Sequence, residues 1–153
     1  MDNTKQRVRL LNLAVTFALF IGKLAHAQQK PHVFVSAITH PGSHMASLDT
    51  QYRFDRTLER AVGKKYPLVS SGTPPALLGK YMKSDGYYWI GGSWVYGCGQ
   101  TCKGSFTYSA YAAHSKGNVE YPVKSCDAQD APEECAQEAA AYLDDIIRQE
   151  TAK

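Results

Sequence analysis

The chain has 153 residues, 20% of them charged, with 17 lysines and arginines against 14 acids and a formal net charge of +3. The excess sits in the first 27 residues; residues 28–153 hold 13 bases and 13 acids, which removes the electrostatic ground for nucleic-acid binding. Residues 28–153 are enough for a single domain with its own hydrophobic core, and no second domain is required.

Met1 to Arg9 carries Lys5, Arg7 and Arg9, an apolar run follows from Leu10 to Ile21, and Ala25-His26-Ala27 places small residues at the positions a secretory cleavage site needs. This predicts a signal peptide over residues 1–27 and a periplasmic or secreted mature chain starting near Gln28. The apolar run is too short to span a bilayer comfortably, so no membrane association is expected after cleavage. Cys98, Cys102, Cys126 and Cys135 all fall in the exported part. An even count in an oxidising compartment predicts disulfides. Of the three pairings, Cys98–Cys102 with Cys126–Cys135 is expected, because each pair sits in its own chain neighbourhood.

Val33 to Ile38 is rich in β-branched and apolar residues and predicts a strand or extended arm. Pro41 to Ser47 is a loop. From Asp49 to Val62, Phe54, Leu58, Ala61 and Val62 recur at helical spacing, with Asp49 at the start and Gly63 where a terminating glycine belongs. Pro67 ends any continuation, since it disfavours helical dihedrals at the residue before it. Residues 68–76 are expected to be irregular. The text then turns to a run of expected strand segments: Leu77 to Lys83, Tyr87 to Ile90, Trp94 to Tyr96, Ser105 to Ala113 and Val119 to Val123, punctuated by Ser84-Asp85-Gly86 and Ser115-Lys116-Gly117-Asn118. Phe106, Tyr108 and Ala110 share one face of their strand, and Thr107, Ser109 and Tyr111 the other, so one face of the sheet is drier.

A second helix closes the chain. Asp130 and Pro132 mark its start, and Ala136, Ala139, Ala140, Leu143, Ile146 and Ile147 form a stripe with Glu133, Glu134, Glu138, Asp144 and Asp145 off it. Residues 28–124 hold 11 bases and 5 acids, whereas residues 125–153 hold 2 bases and 8 acids. The acidic tail is therefore expected to lie on or beside the basic body. Together these elements predict an α+β domain: an antiparallel sheet of about five strands with an N-terminal and a C-terminal helix packed on one side.

Most catalytic chemistries lack support in this sequence. Cys98-x-x-x-Cys102 has the wrong spacing for a thioredoxin-type centre and lies between strands rather than at a helix N-terminus. His40 and His44 are four apart, but Pro41 and Gly42 between them prevent the helix that would bring both to one metal, and His32 and His114 are expected to be solvated. There is no Gly-x-Ser-x-Gly elbow and no Ser-x-x-Lys, and no Ser or Asp partner for His114 is visible. No enzyme activity, cofactor or metal is expected. What remains is the loop "YGCGQTCKG" over residues 96–104. Closing Cys98 to Cys102 makes a very small ring, which adds little global stability but fixes conformation. Gly97, Gly99 and Gly104 admit dihedrals that turn backbone N–H groups outward, and a preordered loop loses less freedom on docking.

At this point the chain resembles a known family, the periplasmic inhibitors of vertebrate (C-type) lysozyme called Ivy. The similar stretch runs from about Asp49 to Tyr121. It carries "GKKYPLVSSGTPP" and "GSFTYSAYAAHSKGNVEY", the Gly63 to Pro67 helix exit, Gly72-Thr73-x-Pro75, the Tyr96-x-Cys98 strand end and the Cys98–Cys102 loop. The resemblance implies a sheet with helices on one side, often dimeric, whose disulfide-closed loop enters a lysozyme cleft and occupies the catalytic carboxylates. The family's loop usually holds four residues between its cysteines, a histidine among them; here Gly99-Gln100-Thr101 stands in that place. The target-binding residues are accordingly expected to be Gly97, Gly99, Gln100, Thr101 and Lys103, with hydrogen bonds donated by side chains and exposed backbone N–H groups. The acidic final helix with Cys126 and Cys135 lies outside the family pattern. The expected partner is a C-type lysozyme or another cell-wall glycan hydrolase. An immunity or envelope-binding protein that neutralises a bacterial toxin through another surface is the alternative.

Overall fold

The computed structural model describes residues 30–37, 47–98, 102–127 and 131–153, without the side chains of residues 96–98, 102 and 103. The expected signal peptide and its cleavage site, Ile38, residues 41–46, Gly99, Gln100, Thr101 and the Asp130 start signal lie outside the described residues. In chain order the elements are β1 (His32–Val35), α1 (Leu48–Gly63), α2 (Pro75–Tyr81), β2 (Tyr87–Cys98), β3 (Cys102–Ala113), β4 (Val119–Glu120), β5 (Lys124–Cys126) and α3 (Pro132–Thr151). No helix among the described residues is long and apolar enough to cross a membrane.

The fold is α+β, and its sheet is mixed rather than wholly antiparallel. The order is β1-β2-β3-β4, with β5 also on β3. β2 and β3 pair antiparallel along their full length, from Tyr87 opposite Ala113 to Cys98 opposite Cys102. β1 instead runs parallel to β2, with Val33 opposite Tyr88 and Val35 opposite Ile90. The physical reason is the connection: two helices intervene between β1 and β2, and a long crossover permits the parallel pairing that a short turn forbids.

Two further expectations are corrected. Residues 77–83 are not a strand: α2 spans Pro75–Tyr81, started by Pro75 in the first helical turn, where its fixed φ suits a helix and its missing N–H costs nothing. The run Val119 to Val123 is not one strand either. Pro122 cannot donate to a ladder, and pairing divides into β4 beside Tyr111–Ala112 and β5 beside Phe106–Tyr108. The other helices stand close to where they are expected. Ser47 caps α1 by accepting the Thr50 N–H at 3.0 Å, and Lys64 follows Gly63 as the closing residue.

One face of the sheet holds the core. Val33, Tyr88, Ile90, Trp94, Phe106, Tyr108, Ala110 and Ala112 meet Phe54, Leu58 and Val62 of α1 and Ala136, Ala139, Leu143, Ile146 and Ile147 of α3. The ring of Phe106 lies between Phe54, stacked at 4.5 Å, and Trp94, edge-on at 4.8 Å. The acidic helix does lie beside the basic body. Arg53 of α1 makes a bidentate pair with Glu133 at 2.6 and 2.8 Å, and Lys65, just past α1, reaches Asp144 at 3.0 Å. Both contacts advance along the two helices in the same sense, so α1 and α3 run parallel.

Candidate functional site

The β2–β3 hairpin is the longest structure in the sheet and its partners do not follow it to the end. β1 flanks only Tyr87–Ile90, and β4 and β5 flank β3 only between Phe106 and Ala112. From Val95 opposite Ser105 to Cys98 opposite Cys102 the two strands pair with each other, and no third strand flanks them among the described residues. Four residue pairs at the usual strand rise make a two-stranded ribbon about 13 Å long. Val95 on it is 40% exposed.

The root of this ribbon is fixed by an aromatic seat that local sequence does not announce. Trp94 is 4% exposed and packs edge-on against Phe106, which in turn stacks on Phe54 of α1. Gly104 makes room for it. A Cβ at that position would stand 1.9 Å from Trp94 Cζ2, so any larger residue must unseat the indole or bend the strand. The glycine expected to free the loop's backbone thus serves packing at the ribbon's base. The Trp94 Nε1–H is buried with no hydrogen-bond partner among the described residues.

At the outer end, the register brings Cys98 opposite Cys102. Of the expected target-binding residues, the backbones of Gly97 and Lys103 are opposite one another in the ribbon, and Gly99, Gln100 and Thr101 lie outside the described residues. The second expected disulfide is present: Cys126 of β5 is joined to Cys135 of α3, with Cα atoms 5.7 Å apart. It clamps the start of the acidic helix to the edge of the sheet beside Phe106, one strand away from the seat of Trp94.

Two clusters of titratable groups lie nearer the opposite end, and the first corrects the expectation that His114 is solvated. His114 follows β3, with Nδ1 at 3.3 Å from Asp85 Oδ1 and Nε2 at 3.1 Å from Glu150 Oε2. Its partners are 29 and 36 positions away along the chain, which is why no local motif marks them. Glu150 Oε1 accepts from the Tyr121 hydroxyl and from Lys153 Nζ at 2.7 Å. Hydrogen bonds from Lys153 and then Tyr121 hold the Glu150 carboxyl below the ordinary range against the effect of burial. A catalytic imidazole needs one nitrogen directed at a nucleophile or substrate. Here both face carboxylates, and the group ties together the α2–β2 turn, the end of β3 and the end of α3.

Asp144, expected off the apolar stripe of α3, is only 6% exposed. Burial alone would raise its pKa, but hydrogen bonds from the Tyr66 hydroxyl, Arg148 and Lys65 outweigh it and hold the carboxyl at about 2. Burial, followed by that hydrogen bond to Asp144, pushes the Tyr66 hydroxyl well above its ordinary range. The charged partners come from opposite sides of the α1–α3 contact. Among the described residues no group of three or more histidines, cysteines or acids is placed to hold a metal ion.

No family model and no curated protein matches the chain. Among solved structures, the hypothetical protein CT253 from Chlamydia trachomatis is similar at 11% identity and a TM-score of 0.43, over 63% of this chain and 69% of that one. The PelC dodecamer from Paraburkholderia phytofirmans is similar at 10% identity and a TM-score of 0.41, over 75% of this chain and 86% of that one. Neither likeness bears on partner or chemistry.

Proposed function

We propose that this protein is an exported inhibitor that places the outer end of the β2–β3 hairpin in the active-site cleft of a lysozyme or related peptidoglycan hydrolase. The supporting observation is the ribbon from Val95 to Cys98 and from Cys102 to Ser105, which runs beyond its flanking strands from a root locked by Trp94, Phe106 and Phe54. A glycosidase cleft holds two carboxyl groups on either side of the scissile bond. A narrow hairpin end rich in hydrogen-bond donors would suit both, and it brings no acid of its own: residues 95–105 contain none, and Lys103 adds a positive charge. Rigid presentation matters because each side chain ordered on docking subtracts from affinity. Gln100 and Thr101 take the role that a histidine has in the family the sequence resembles.

The test is titration of C-type lysozyme and a lytic transglycosylase with the mature protein. Saturable inhibition is expected, and Gln100→Ala with Thr101→Ala should weaken it at least about tenfold, the loss of one or two good hydrogen bonds, while leaving thermal unfolding unchanged. Inhibition untouched by the double substitution, or absent across the panel, overturns the assignment. Target binding that survives both the double substitution and reduction of the disulfides but collapses in high salt points instead to the alternative, an immunity or envelope-binding protein acting through a charged surface.

A further inference from the structure

We infer that the sheet face turned away from the helices carries a subsite for a neutral sugar ring. This face is built from alternate residues of the same strands that make the core. Strand pairing sets its rows: Phe34, Trp89 and Tyr111 across one level, Gly91 and Ser109 across the next, and Ser93, Thr107 and Ser125 across the third. An aromatic band therefore borders a band of hydroxyls. Between them lies a trough of about 240 Å³ lined by Ser36, Gly91, Ser93, Thr107, Ser109 and Val123 among others.

The trough exists because Gly91 has no side chain. A Cβ there would stand 2.3 Å from Ser36 Oγ, so any other residue would push that hydroxyl aside and fill the floor. Two of the hydroxyls are already committed: Ser93 and Thr107 bond to each other at 2.9 Å, and Thr107 Oγ1 also donates to the Ser93 carbonyl at 3.3 Å. Ser36 and Ser109 are not, since neither side chain has a hydrogen-bond partner among the described residues. On the neighbouring row Trp89 is stacked on Tyr111 at 5.4 Å and 6° and tilted against Phe34 at 5.6 Å. Val123 supplies an apolar lip.

Chemistry then narrows the occupant. Among the described residues no charged side chain lines the trough, so an anion or cation would lose hydration that these residues do not replace. In an antiparallel ladder alternate residues bond across it, so part of the floor's backbone is engaged between β2 and β3, and the Ser36 and Ser109 hydroxyls add donors and acceptors. A purely apolar occupant would bury Ser36 and Ser109 without partners, at a cost of about 1–3 kcal/mol each. A pyranose meets both demands, offering hydroxyls that donate and accept to Ser36 and Ser109 and apolar C–H groups to Val123. The volume is below the range of about 300–1,000 Å³ usual for drug-sized ligands and suits one ring, with the open side leaving room for a glycan to continue. The inference is independent of what the hairpin end binds, because the trough is lined by other residues and faces from the base of the sheet.

The experiment is an NMR titration of the isotope-labelled mature protein with glucose, galactose and N-acetylglucosamine, up to tens of millimolar. Saturable shifts of the Gly91, Gly92 and Ser109 amides are expected with at least one neutral sugar, and none with glucuronate or inorganic phosphate. Ser36→Ala with Ser109→Ala should weaken the interaction about tenfold, and Ser109→Leu, which fills the trough, should abolish it. The alanine variant keeps the volume nearly constant, so it remains informative if the leucine variant folds poorly. Absence of saturable shifts with every neutral sugar, equal response to the anions, or an alanine variant that binds as the parent does each overturns the subsite.

Discussion

The two ends of the β2–β3 hairpin are made of the same strands in the same ladder, yet they are held in different ways. Around Tyr88, Ile90 and Ala110 the pair is flanked on both sides and covered by α1 and α3, and these residues are buried. From Val95 and Ser105 outward no flanking strand is present among the described residues, and the pair depends on its own hydrogen bonds and on the seat of Trp94. An isolated two-stranded ribbon is marginal in water. The difference separates duties: the base supplies folding energy, and the outer end, Gly104 apart, contributes little to it.

The contrast can be broken first at the seat. Phe54→Ala removes a fully buried ring stacked on Phe106 and should cost about 3–5 kcal/mol, read as a fall in the midpoint of denaturant unfolding. Joint replacement of Cys126 and Cys135 by serine opens a loop with a sequence separation of 9, and chain entropy predicts a loss of about 2.5 kcal/mol. Asp144→Asn should cost about 2 kcal/mol at neutral pH, because the native carboxyl titrates at about 2 against an ordinary 3.8. The sign follows from the lowered value: Asp144's contribution is complete above about pH 4 and is lost as the pH falls toward about 2, so the variant should lack that part of the acid limb. The smallest effect belongs to the outer end, where Val95→Ala should change stability by no more than about 0.5 kcal/mol. Amide exchange sharpens the same contrast, with Ile90 and Ala110 protected to the level of global unfolding and Val95 and Ser105 exchanging through local opening.

What was legible in the sequence was what local periodicity encodes. Phe54, Leu58 and Val62 mark α1, and Ala136, Ala139, Leu143 and Ile146 mark α3, because a helix turns its buried side chains to one side at fixed spacing. The alternation from Phe106 to Tyr111 marks β3 for the same kind of reason. The short helix α2 was hidden: seven residues give too few turns for a period to emerge, and Leu77-Leu78 suits a strand as well. The direction of β1 was hidden because its partner lies beyond two helices. The surroundings of Asp144 and His114 were hidden because Lys65, Tyr66, Asp85 and Glu150 reach them across the fold. At the hairpin end the expected constrained turn lies outside the described residues, and the tryptophan seat at its root was hidden because it depends on Phe54, forty residues upstream.

The short margins of the sheet have a consequence for how copies of this protein meet. β1 is four residues long, and its outer side is already engaged at Val33, which donates to the Pro67 carbonyl at 3.0 Å and accepts from Val69 N–H at 2.7 Å. On the far side β4 and β5 have two and three residues. Such abbreviated borders offer poor templates for a foreign strand. Runaway stacking of one molecule onto the next is thereby discouraged at the base, and the longer stretch without a flanking strand among the described residues lies at the outer end of the β2–β3 pair.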